Sequence, residues 1–132
     1  MLNKIIFMGT LGKEPELKKT PSGVSVLTVD LACQRDNKDK DGEKPVDWIT
    51  TVMWRNNADY FAKYAHKGSK AIVEGKLQSR KWKDKDGNTR VAWEVQTDNV
   101  HLMGGKRDNA EEQKAEPKFE EITDDEPGEL PF

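Results

Sequence analysis

Asp47-Trp48-Ile49-Thr50-Thr51-Val52-Met53-Trp54-Arg55 sets Trp48, Thr50, Val52 and Trp54 on one face and Ile49, Thr51 and Met53 on the other. That is the period of an extended strand. The period then changes: Ala58, Phe61, Ala62 and Ala65 fall at i, i+3, i+4 and i+7. Asn57 is placed to cap a helix, and Lys67-Gly68 to supply a cationic last turn and a left-handed stop. A short helix of about two to three turns is expected here. Lys70 to Lys83 returns to strand character, with Gly75 where a bulge or sharp barrel bend belongs.

Upstream, Asn3 to Leu11 is β-branched and aromatic and too short for a helix, so it reads as a strand buried on much of both faces. Pro15 ends it, Pro21-Ser22-Gly23 turns the chain, and Val24 to Cys33 alternates Leu27, Val29, Leu31 and Cys33 against Val26, Thr28 and Asp30. Downstream, Asp86-Gly87 or Gly87-Asn88 makes a tight turn into a last strand from Thr89 to Leu102. Lys38-Asp39-Lys40-Asp41-Gly42 recurs as Lys83-Asp84-Lys85-Asp86-Gly87, which predicts two similar hairpin loops rather than a duplicated domain. The result is an all-β chain of five strands with one short helix between the third and fourth, the order of an OB-fold barrel. A bare SH3-like barrel would lack that helix.

The 132 residues, 34% hydrophobic and 35% charged, suffice for one domain. No stretch approaches the roughly 18 apolar residues of a membrane span, and Met1 to Leu11 lacks the features of a secretion signal. A soluble, cytoplasmic protein is expected. Charge divides unevenly: residues 1–107 hold 20 Lys and Arg against 14 Asp and Glu, and residues 108–132 hold 2 against 10. A basic body with an acidic tail suits a polyanion bound by the body. After Gly104-Gly105 periodicity is lost and apolar residues are few, so a disordered tail is expected. The expected division is a folded domain over 1–105, a linker over 106–123 and an acidic tip over 124–132.

Enzymatic readings fail on inspection. Only two residues separate the glycines of Gly9-Thr10-Leu11-Gly12-Lys13, and Glu14 stands where a phosphate loop needs Ser or Thr. In Asp84-Lys85-Asp86-Gly87-Asn88 the glycine is fourth rather than sixth, so turn chemistry replaces a calcium loop. Cys33, His66 and His101 compose neither a metal site nor a nucleophile pattern. No catalytic residue, metal or cofactor is expected. The informative pattern is aromatic: Trp48 and Trp54 share a face, and Trp82 shares its face with Lys76, Gln78 and Arg80. Indole beside cation suits unpaired bases, which present π-faces to stack and phosphates to neutralise. Trp93 shares parity with Val91 and Val95, which leaves core packing and base contact both open to it. At the other end Asp124, Asp125, Glu126 and Glu129 lead into Leu130, Pro131 and Phe132, an acidic segment with a compact apolar anchor for a partner's pocket.

With these residues in view, the sequence resembles bacterial or phage-borne single-stranded DNA-binding proteins. The resemblance runs through Asn3-Lys4, Gly9-Thr10-Leu11-Gly12, Glu14-Pro15, Leu31-Ala32, Trp48, Trp54, Lys67-Gly68-Ser69, Val73-Glu74-Gly75-Lys76-Leu77, Arg80-Lys81-Trp82, Gly87 and Glu94-Val95. It implies an OB-fold homotetramer that binds single-stranded DNA without sequence preference. It also implies recruitment of replication, recombination and repair proteins through the C-terminal tip, at the nucleoid. Trp48 and Trp82 match the family's stacking tryptophans, and Trp54 a position where the family often has a stacking aromatic. Lys4, Lys67, Arg80, Lys81 and Arg90 match basic positions along the DNA path. The aromatic usual near Asn37 has no counterpart, a place that Trp93 is available to fill in part, and Pro127-Gly128 interrupts the acidic run. Two competing readings are a protein-interaction OB-fold such as a primosome accessory factor, and an RNA binder, since stacking does not sense the 2′-hydroxyl.

Overall fold

The alternating segments do become strands. In the computed structural model, which describes residues 1–104, they are β1 (Ile5–Leu11), β2 (Lys18–Lys19), β3 (Ser25–Gln34), β4 (Val46–Trp54), β5 (Lys70–Lys83) and β6 (Thr89–Met103), with one helix, α1 (Arg55–Tyr64), between β4 and β5. The linker and the tip residues Asp124, Asp125, Glu126, Glu129, Leu130, Pro131 and Phe132 lie outside the described residues. Among the described residues no helix is long and apolar enough to cross a membrane.

Both edges of β1 are paired. It runs antiparallel to β5 from Ile5↔Gly75 to Thr10↔Lys70, then meets β3 at Thr10↔Ala32 and Leu11↔Leu31. β3 pairs with β4, β5 pairs with β6, and a short parallel contact, Thr51↔Val95 and Val52↔Gln96, joins β4 to β6. The circuit β1-β3-β4-β6-β5 closes the barrel expected from the element order, an OB-fold, with β2 as a two-residue addition beside β3. Closure removes the open edges that would otherwise template pairing with other chains.

Leu11, Leu27, Leu31, Met53, Val73 and Val95 fill the interior, and Ala58 and Phe61 of α1 join the same cluster. The helix therefore earns its stability from its apolar stripe, since ten residues are too few to hold a helix alone. Gly75 lies at the β5 bulge, where a Cβ would come 2.1 Å from the backbone oxygen of Gln96. Only a residue without a side chain lets the two strands approach so closely there.

The repeated pentapeptide builds the same loop twice. Asp39 and Asp84 donate their amides to the carbonyls of Glu43 and Asn88, and Gly42 and Gly87 take positive φ of 80° and 77°. In each loop one carboxylate oxygen accepts from two amides: Asp39 Oδ1 from Asp41 and Glu43, and Asp84 Oδ1 from Asp86 and Asn88, at 2.9–3.0 Å. Aspartate satisfies the turn's amides and glycine supplies its left-handed residue, so one sequence specifies one hairpin loop wherever it occurs.

Four expectations need correction. β1 is not buried on both faces: Ile6 and Met8 are 63% and 51% exposed, because they point out of the barrel where none of the described residues covers them. Asn3 precedes β1 and reaches β5 through its side chain, donating to the Leu77 carbonyl at 2.9 Å and accepting from the Leu77 amide at 3.1 Å. The helix starts earlier than Asn57. Arg55 adopts a left-handed φ of 55°, which turns β4 directly into α1, and Asn57 donates its side-chain amide to the Asp98 carbonyl instead of capping. Such a conformation costs a non-glycine residue roughly 1–2 kcal/mol, which burial of Ala58 and Phe61 offsets. The helix also ends earlier, at Tyr64 with Ala65 as its extended cap. Gly68 belongs to the next turn, donating its amide to the Leu11 carbonyl while Leu11 donates to Ser69. Pairing with the end of β1 pulls the chain out of the helix before it reaches Lys67.

Candidate nucleic-acid interface

Strand alternation and register determine which side chains share a surface. In the β3–β4 ladder Trp48 stands opposite Ala32, Thr50 opposite Asp30 and Trp54 opposite Val26. Val52, on that same face, adjoins Gln96 of β6. In the β5–β6 ladder Gln96 faces Lys76, Glu94 faces Gln78, Ala92 faces Arg80, and Arg90 faces Trp82. The outer face of the sheet is thus continuous from Trp48 through Trp54 to Trp82, with Arg80 and Arg90 beside the last. The structure brings these residues together from three strands.

None of the tryptophans is core: Trp48, Trp54, Trp82 and Trp93 are 60%, 42%, 44% and 61% exposed. Each is held differently. The Trp54 indole donates Nε1–H to Gln96 Oε1 at 3.1 Å, which orients the ring at the seam between β4 and β6. Trp48 leans on the backbone at Gly12, and together with Leu11, Lys13, Val26 and Thr28 it lines a cleft of about 660 Å³. Trp82 lies on the part of β5 that extends past the barrel. Residues 76–83 are all exposed, and with Thr89 to Trp93 they form a two-stranded arm capped by the Asp84 loop.

The cations are less equivalent than their sequence positions imply. Arg90 Nε donates to Asp84 Oδ2 at 2.9 Å, and that bond, with the amides of Asn88 and Asp86, holds the Asp84 carboxyl below the usual carboxylate range. Arg80 lies 3.6 Å from Glu94. Lys4 is paired with Glu74, which holds its ammonium above the usual lysine range. Lys4 therefore sits on the β1–β5 wall rather than beside the tryptophans. Lys67 is in the turn after α1, where its backbone amide donates to Glu14 Oε1 at 3.1 Å. Lys81 is on the opposite face of the arm from Arg80, and Trp93 on the opposite face from Trp82, because each differs in parity from its counterpart. Near Asn37, where the resemblance leads one to look for a further aromatic, Arg35 and Asp47 form a two-pronged ion pair at 2.8 Å.

Sequence reading missed Gln96 and the cradle at Gly12. Alternation places a residue on a face but is blind to the partner that orients it. Among the described residues no three His, Cys, Asp or Glu side chains are grouped to hold a metal ion.

This arrangement, an OB barrel with an exposed aromatic face, coincides with the matched region of a known family. The model of the "Single-strand binding protein family" matches residues 2–103. The chain belongs to the single-strand binding protein family. It is 38% identical over 111 residues to single-stranded DNA-binding protein 2 of Listeria monocytogenes, spanning 84% of this chain and 69% of that relative. It is 39% identical over 124 residues to single-stranded DNA-binding protein 1 of Staphylococcus aureus, spanning 94% and 73%. It is likewise 39% identical over 106 residues to single-stranded DNA-binding protein A of Bacillus subtilis, spanning 80% and 62%. The family match covers the whole barrel and the arm, so all four tryptophans fall inside it.

Proposed function

We propose that the chain binds single-stranded DNA without regard to sequence and protects it during replication, recombination and repair, as a cytoplasmic, nucleoid-associated protein without catalytic activity. The carrying observation is the continuous outer face on which Trp48, Trp54 and Trp82 stand exposed beside Arg80 and Arg90. A π-face stacks on any base, and guanidinium groups follow the phosphates that every sequence shares, so such a face binds strongly and discriminates weakly. Lys67, in the turn after α1, extends the basic path, whereas Lys4 is engaged by Glu74 on the β1–β5 wall. The folded unit is residues 1–105, and residues 106–123 tether the acidic tip, 124–132, through which genome-maintenance proteins are recruited.

We further propose a homotetramer. Ile6 and Met8 lie on the outer wall of β1, and Met103 across β5 is exposed on the same wall. An exposed apolar strip on a strand whose edges are already paired is suited to packing against another copy.

Fluorescence titration tests the central reading. Oligo-dT should quench tryptophan emission strongly, Trp54→Ala should weaken binding to all sequences alike, and affinity should fall with salt at a log-log slope of about −0.7 per neutralised phosphate. Little quenching at saturation removes the stacking interface. Parallel titration with oligo-U separates a DNA from an RNA preference, and absence of binding to both leaves a protein-interaction barrel.

A further inference from the structure

The arm formed by β5 and β6 has two faces, and only one continues the barrel's outer surface. On the other, Leu77 pairs with Val95, Ser79 with Trp93, Lys81 with Val91 and Lys83 with Thr89. Val95 is buried in the core, but Trp93 is 61% exposed, so this face leaves the barrel interior and emerges into solvent along the arm. Trp93 and Lys81 are diagonal neighbours across the ladder, at about the 7–8 Å spacing that long side chains span.

The two faces differ in charge. On the Trp82 face both arginines have carboxylates at hand, Arg90 at 2.9 Å from Asp84 and Arg80 at 3.6 Å from Glu94. On the Trp93 face the ladder from Leu77 to Lys83 and from Thr89 to Val95 contains no acid, and among the described residues neither Lys81 nor Lys83 has a carboxylate within 4.0 Å. Among the described residues the arm's lysines without a carboxylate partner are thus Lys81 and Lys83 beside Trp93 and, on the other face where the arm leaves the barrel, Lys76.

We propose that the Trp93 face is a second stacking platform for single-stranded DNA, with Lys81 and Lys83 as its phosphate contacts, so that a bound strand passes around the arm and engages both faces. This rests on the single-stranded DNA reading above. An indole flanked by ammonium groups, with no acid on its face of the ladder, is complementary to stacked bases on a phosphate chain. A second copy of the chain is a poorer occupant, because an apolar contact would desolvate two lysines that no described carboxylate neutralises. The outer wall of β1, with Ile6 and Met8 exposed, is better suited to that role. Beyond Val95 and Gln96 the arm has no further pairing to β4, which leaves its edge open for a strand to round.

The test uses the full chain with Trp93 as sole tryptophan, made by Trp48→Phe, Trp54→Phe and Trp82→Phe, alongside single substitutions in the native chain. Acrylamide should quench Trp93 emission before DNA is added, and oligo-dT should quench it on binding, with occupancy followed independently by anisotropy of a labelled oligonucleotide. In the native chain, Trp93→Ala should lower affinity about 5- to 150-fold and reduce the number of nucleotides bound. Lys81→Gln and Lys83→Gln should each flatten the salt slope by about 0.7, and Arg90→Gln by less. Trp93 emission unchanged at saturating oligo-dT overturns the proposal, as does an indole already shielded from acrylamide, which assigns the face to another copy. Should the three Phe substitutions abolish binding, Trp93→Ala alone decides: unchanged affinity and site size overturn the second platform. Failure of the unsubstituted chain to bind oligo-dT is a different result and overturns the single-stranded DNA reading itself.

Discussion

The Trp48 indole lies so close over Gly12 that a methyl group built there would come 2.6 Å from Trp48 Cζ3 and 2.8 Å from Cη2. The glycine is a seat for the ring. Its φ lies outside the left-handed region, so Gly12→Ala adds no backbone strain and displaces only the far edge of an exposed side chain. We expect thermal stability to change by less than about 0.5 kcal/mol, as for other surface substitutions. Oligo-dT affinity should fall by part of the about 1–3 kcal/mol that Trp48→Ala removes. Chemical denaturation and fluorescence titration of both variants check this, and undiminished affinity in Gly12→Ala would show that the seat does not matter.

Asp84 restrains Arg90 as well as ordering its loop. Its folded-state pKa is depressed, first by the Arg90 hydrogen bond and then by the Asn88 amide. It therefore stabilises the arm above the unfolded carboxyl value of about 3.9, and that contribution is lost as pH falls through the lower folded value. Protection of the Asp86 and Asn88 amides from hydrogen exchange should decline over that acid range. Asp84→Asn keeps an acceptor for both amides but releases Arg90, so at neutral pH the salt slope for oligo-dT should steepen by up to about 0.7. An unaltered slope would mean that the pair opens freely on binding.

Ile6 and Met8 make a direct prediction about assembly. Ile6→Lys places a charge in the middle of the exposed apolar wall without touching the core. Sedimentation equilibrium should show the native chain as a tetramer and the variant as a smaller species. A native chain that sediments as a 15.0 kDa monomer sinks the proposed assembly.

For the acidic tip, Phe132→Ala keeps every acid and removes one apolar group. Partner capture in pull-downs should fail while oligo-dT affinity stays at the native value. Deleting residues 124–132 should also abolish capture and raise DNA affinity slightly at low salt, where a tethered tail bearing acids competes best for a basic surface. Normal capture by Phe132→Ala would reduce the tip to a solubilising segment.

Much of this architecture was legible locally. A period of two residues set Leu27, Val29 and Leu31 inward and Trp48 and Trp54 outward, and the Ala58, Phe61 and Ala65 stripe marked the buried side of the helix. The duplicated Lys-Asp-Lys-Asp-Gly specified its loop twice, because aspartate and glycine satisfy that turn from within a few residues. What needed the folded chain was every relation between strands. Register decided that Trp82 meets Arg90 while Trp93 shares the other face with Lys81, and that Arg90, Arg80 and Lys4 have carboxylate neighbours while Lys81 has none within 4.0 Å among the described residues. Barrel closure decided where the helix begins and ends, overriding Asn57 and Gly68 as its natural bounds. Periodicity and turn chemistry are set by neighbours along the chain, so one sequence suffices to read them. The free charge and the orientation of an aromatic face depend on residues tens of positions away, which only the paired sheet brings within reach of one another.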